Sequence, residues 1–121
     1  MKEIDVFKLA SELGFDVRGA ELRDGINGLM IVNEHCDKIP GFDSNKVIAY
    51  NCKKDINIKR NSVAKHLNSY INCKKETEEV FLVEASEGIE PIIDINLLVQ
   101  LCLEQGLISR KKNVKRLYKK M

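Results

Sequence analysis

Apolar residues near the start of the chain fall at Ile4, Val6, Phe7, Leu9, Ala10 and Leu13, close to the i, i+3, i+4 spacing that gives a helix one buried face. Gly14 stops that helix, because glycine readily takes the left-handed conformation of a C-cap. Phe15-Asp16-Val17 then reads as a short extended piece. Asp24-Gly25 and Asn27-Gly28 read as turns, since Gly and Asn tolerate positive φ. Leu29-Met30-Ile31-Val32 predicts a strand. The stretch from Asn33 to Asn45 carries Pro40, Gly41, Asp43 and Ser44 and reads as a turn or hairpin loop. A second strand follows it, Lys46-Val47-Ile48-Ala49-Tyr50, ended by Asn51.

After a polar connector, Val63, Leu67, Tyr70 and Ile71 lie on one helical stripe within Ser62 to Ile71, which predicts a buried central helix. Val80-Phe81-Leu82-Val83 leaves strand and helix both open: its residue types favour a strand, while its acidic neighbours suit a helix start. Leu97 to Leu103 predicts a helix with Leu97, Leu98, Leu101 and Cys102 inward, ended by Gly106, and Asn113 to Lys120 a further one.

With 121 residues and 44% hydrophobic content, the chain suits one domain over residues 1–121. Lys and Arg nearly balance Asp and Glu, and a net charge of +2 says little about nucleic acid or membrane. The distribution says more. Glu76, Glu78, Glu79, Glu84, Glu87, Glu90 and Asp94 make the middle acidic. Arg110, Lys111, Lys112, Lys115, Arg116, Lys119 and Lys120 make a basic helical segment of about 106–121. No apolar run reaches the ~18 residues of a membrane span, and the N-terminus opens on an amphipathic pattern rather than a signal peptide. A cytoplasmic protein with no membrane partner is expected. Cys36, Cys52, Cys73 and Cys102 are widely spaced and without a C-x-x-C pair, so free thiols are expected.

The run Ile4-Asp5-Val6-Phe7-Lys8-Leu9-Ala10-Ser11-Glu12-Leu13-Gly14, followed by Asp24-Gly25-Ile26-Asn27-Gly28-Leu29-Met30-Ile31, resembles the opening of the ImmA/IrrE family of bacterial and phage metallopeptidases. The resemblance continues through Val47-Ile48-Ala49-Tyr50-Asn51, Arg60 and Ser62-Val63-Ala64. At this distance the family carries "A-H-E-L-G-H-Y"; here stand Ala64-Lys65-His66-Leu67-Asn68-Ser69-Tyr70. In H-E-x-x-H, two His on one helical face hold Zn²⁺ and the Glu is general base on the bound water. Lys65 and Ser69 occupy the two His positions and His66 that of the Glu. An ammonium cannot ligate a cation and a hydroxyl is a poor zinc ligand, so the resemblance implies a degenerate site: no metal, zinc lost, no catalytic residues. Aligning Pro91 with a family proline sets Ala85-Ser86 against small residues of the family's third-ligand helix and brings Glu78 and Glu79 near the ligand region.

The fold implied is α+β: a small mixed sheet packed against helices, a minimal zincin-like domain. The family's active members cleave a helix-turn-helix repressor. A member without the ligands implies a regulator or inhibitor that binds a protein partner, such as such a repressor or a host defence or regulatory protein, in a bacterium, phage or mobile element. In that reading Lys65 fills the place of the metal and pairs with Glu78 or Glu79; the bland alternative is a solvated surface lysine. One alternative function is a zinc protease with a site rebuilt from His66, Glu78 and a cysteine. His35, Cys36 and Cys73 are further scattered donors, without a local metal signature. Another is a nucleic-acid-binding regulator that contacts phosphates through Arg110, Lys111, Lys112, Lys115 and Arg116. The absence of an aromatic stacking platform favours a solvated helix face for that tail.

Overall fold

The computed structural model describes residues 4–33, 41, 44–74 and 81–107. Asp5 caps the first helix, α1 (Val6–Glu12), accepting from the amides of Phe7 and Lys8 at 3.1 and 3.3 Å, as short polar side chains do at helix starts. Val6, Leu9 and Ala10 are its buried face. Gly14, at φ 92°, turns the chain into β1 (Asp16–Ala20). β2 (Ile26–Asn33) and β3 (Lys46–Asn51) follow, then the long helix α2 (Ile56–Lys74), β4 (Phe81–Glu87) and α3 (Ile95–Glu104).

The strands form one mixed sheet in the order β1-β3-β2-β4. β1 runs parallel to β3, with Val17 opposite Ile48, while β2 is antiparallel to both β3 and β4, with Leu29 opposite Ala49 and Ala85. Alternation along the strands puts Met30, Val32 and Ile48 on one face. That face meets Val63, Leu67, Tyr70 and Ile71 of α2 and the inner side of α1, all essentially fully buried. α3 packs on α2. Lys46 joins three elements. Its ammonium donates to the Leu13 carbonyl at the C-terminal end of α1, where the helix dipole favours a cation. It also lies 5.2 Å from the ring centres of both Phe15 and Tyr70.

The predicted small mixed sheet packed against helices is the observed architecture. Residues 81–83, open between two elements in sequence, lie in a strand. Ala85 and Ser86, set against a helix by the resemblance, lie in the same strand. The polar connector expected before Ser62 is instead the first turns of α2. Two other expectations are corrected. Asn27-Gly28 is not a turn: both residues lie in β2, beside a register irregularity at Ile26/Gly28. Asn27 is there because its side-chain amide, buried in the sheet, donates to the Gly88 carbonyl at 2.7 Å. Leu97 is 58% exposed rather than inward. Among the described elements α3 packs mainly on α2, and Leu98, Val99 and Cys102 are its buried residues. Cys52 and Cys102 are free thiols. The helix expected over Asn113 to Lys120 and the loop residues Pro40 and Asp43 lie outside the described residues.

Gly28 is needed for space, since its φ is not positive. A Cβ there would overlap Ser62 Oγ of α2 and stand 3.0 Å from the Ala49 carbonyl. Gly28→Ala should therefore lower stability by roughly 1–3 kcal/mol through overpacking. Gly25→Ala, where an added Cβ meets nothing within 4 Å, should stay within about 0.5 kcal/mol of the parent. Urea midpoints at constant slope measure both.

Candidate functional site

Ser62, Lys65, His66 and Ser69 recur at i, i+3, i+4 and i+7 and so form a second stripe on α2, beside the apolar one. On β4, Glu84 and Ser86 are two residues apart and share a face. The two rows meet. Ser62 Oγ and Ser86 Oγ are 3.0 Å apart and both are buried. One turn along, Lys65 Nζ donates to Glu84 Oε1 at 2.8 Å, and after a second turn Ser69 Oγ donates to the same oxygen at 3.2 Å. The side chains of Lys65 and Glu84 are 29% and 25% exposed, enough shielding from water for their attraction to exceed that of a surface pair.

A second carboxylate faces the ammonium from the connector between β4 and α3. Glu90 lies 3.7 Å from Lys65 Nζ with its side chain 8% exposed. Asparagines hold that connector over the site. Asn27 donates to the Gly88 carbonyl. Asn61 Nδ2 donates to the Pro91 carbonyl at 3.1 Å, and its Oδ1 accepts from the Ile93 amide at 2.8 Å. Lys65 thus sits as one cation between two carboxylates.

His66 is fully buried, with Nδ1 3.9 Å from Glu84 Oε1. Neither ring nitrogen has a hydrogen-bond partner among the described residues. Burial lowers its pKa to about 4 against the opposing pull of Glu84, Lys65 lowers it further, and the nearby Gly28 carbonyl favours the charged form without meeting hydrogen-bond geometry. At neutral pH the imidazole carries no charge, and its contact with Glu84 is not an ion pair. For Glu84, burial works against ionisation, but the Lys65 hydrogen bond and charge, then His66 and Ser69, outweigh it and hold the carboxyl below its usual range.

These groups do not form a hydrolytic centre. Ser69 gives its hydrogen to a carboxylate of lowered pKa, a weak base for a nucleophile. The Lys65 ammonium donates to that same carboxylate, and an ammonium has no lone pair to accept a proton. Among the described residues, no three His, Cys, Asp or Glu side chains stand together as a ligand group.

Of the residues singled out in sequence, Lys65, His66 and Ser69 are brought together, around Glu84. Glu84 was counted only among the acids of the middle, and Glu90 likewise. The spacing of Glu84 and Ser86 would have signalled a shared face once residues 81–87 were read as a strand. Glu78 and Glu79, the expected partners of Lys65, lie outside the described residues, as do His35, Cys36, Arg110, Lys111, Lys112, Lys115 and Arg116. Cys73 falls in α2.

The buried neutral His66 gives stability a pH dependence of known sign. The unfolded chain takes up a proton near 6.5 and the folded chain only near 4, so stability is full above 6.5 and falls as the pH drops toward 4. The loss should reach about 3 kcal/mol at most, with Glu84 adding to it below its ordinary carboxylate range. His66→Leu should remove the slope between pH 6.5 and 5, measured by urea unfolding. A parent protein equally stable at both pH values would place the imidazole in water.

Comparison of the chain with protein-family models, with curated proteins and with solved structures gives no match.

Proposed function

We propose that the chain is a degenerate ImmA/IrrE-like domain of zincin-like fold, with an ion pair where active relatives hold zinc. It works as a regulator or inhibitor by binding a protein partner in the cytoplasm of a bacterium, or on behalf of a phage or mobile element. The observation that carries this reading is the 2.8 Å pair between Lys65 and Glu84. In the resemblance Lys65 stands at the first zinc-ligand position and Ser69 at the second. Both direct hydrogens at one carboxylate oxygen, which leaves that oxygen occupied by donors.

The donor set does not suit zinc. An ammonium has no lone pair, and its charge repels a second cation across the few ångströms of the site. A hydroxyl is a poor ligand. What remains is a packed domain whose Glu84 carboxylate is paired within the chain, and a fold kept without its chemistry is suited to binding. No helix among the described residues is long and apolar enough to cross a membrane.

Two measurements test the reading. Protein purified without chelator should contain far less than stoichiometric zinc; about one equivalent would point to a rebuilt metal site and a working protease. Affinity capture from the native host should recover an intact protein in stoichiometric amount, and Lys65→Glu should lose it. A captured protein cut at one peptide bond, or one retained unchanged by Lys65→Glu, contradicts the proposal.

A further inference from the structure

A pocket of about 310 Å³ opens beside the ion pair, between the start of α2 and the connector after β4. Ile58, Ile89 and Ile92 form its walls, and Asp55 and Glu90 supply its charge. No lysine or arginine among the described residues lines it. The volume is at the small end of ligand sites, ~300–1,000 Å³.

Glu90 is the unusual member. Its side chain is nine-tenths buried, yet among the described residues its one polar contact is Lys65 Nζ at 3.7 Å, beyond hydrogen-bond length. The hydrogen bonds of Asn27 and Asn61 to Gly88, Pro91 and Ile93 fix it there. One ammonium thus faces two carboxylates, and the cluster keeps a net negative charge. Lys65 divides its charge between Glu84 at 2.8 Å and Glu90 at 3.7 Å. A second cation that reaches Glu90 from the pocket side would balance that charge. Asp55 spends Oδ1 on the Ile58 amide and adds negative charge at the mouth.

The geometry points to a binding site for an arginine or lysine side chain of a partner polypeptide. Its charged end meets Glu90 and its aliphatic stem lies along Ile58, Ile89 and Ile92. Charge complementarity sets the ligand's sign, and the isoleucine walls set its stem. A polypeptide, rather than a free amine, is indicated by the rim: Ile89 and Ile92 are almost wholly exposed and need a covering surface of the kind that surrounds a buried basic anchor. This rests on the reading of the chain as a protein-binding domain and names what the partner presents.

The test uses the full chain, labelled at isoleucine methyls for NMR, and three probes: N-acetyl-arginine amide, N-acetyl-lysine amide and the uncharged N-acetyl-norleucine amide. The two basic probes should shift the Ile58, Ile89 and Ile92 methyls saturably, with Ile48 and Ile71 unmoved, and norleucine amide should need at least about tenfold more. Glu90→Gln should weaken the basic probes about tenfold while the Ile48 and Ile71 signals report an intact fold. Equal binding of norleucine amide, or no shift with any probe, overturns the site. If Glu90→Gln alone, without probe, moves the backbone amide signals of Arg110 to Lys120 in a second, uniformly nitrogen-15-labelled sample, the occupant is the chain's own tail; if the effect depends on protein concentration, it is a second copy. Either result overturns the partner. This test shares no variant with the Lys65→Glu capture, so the pocket can fail while the protein-binding reading stands, and the reverse.

Discussion

A helix can lie as close to a sheet as α2 lies to β2 only where a strand residue has no side chain. Gly28 provides that place, and Ser62 occupies the space its Cβ would need. The contact fixes the distance and angle of α2 along β2 and β4. Three polar side chains on the same side of the helix then have set partners: Ser62 meets Ser86, and one and two turns later Lys65 and Ser69 meet Glu84. On its other side, Val63, Leu67, Tyr70 and Ile71 close over Met30, Val32 and Ile48. One close approach therefore sets both the core and the polar cluster.

Charges this far from water are tolerated because they answer one another. Removing either member of a shielded pair leaves the other with its desolvation cost and no compensation. The same geometry explains why His66 stays neutral: beside an ammonium and out of water, its charged form loses more than the Glu84 carboxylate returns. The cluster thus carries its own cation, covalently part of the helix. A metal brings its charge from solution; Lys65 brings it with the sequence.

Much of the fold was legible because it rests on periodicity. Val63, Leu67, Tyr70 and Ile71 spell out a helical stripe, and Leu29 to Val32 and Lys46 to Tyr50 read as strands by residue type. The errors have physical sources. Asn27 and Gly28 look like a turn because the same two residue types also serve a buried amide bond and a close helix approach, and sequence does not separate those uses. Leu97 looks like core because apolarity alone cannot tell how many neighbours a helix has. At the site, Lys65, His66 and Ser69 stood out from their helix spacing. Glu84 and Glu90 did not, because their roles depend on strand pairing and on asparagine side chains far away in sequence.

The central claim is that Lys65 and Glu84 hold this site together as a charge pair. A double-mutant cycle with Lys65→Met, Glu84→Gln and the two combined measures that directly, through urea unfolding at neutral pH. The pair's shielding predicts a coupling energy of about 1 kcal/mol or more that persists in high salt. A coupling within roughly 0.3 kcal/mol of zero, as for many exposed pairs, would make Lys65 an ordinary surface lysine and contradict the account.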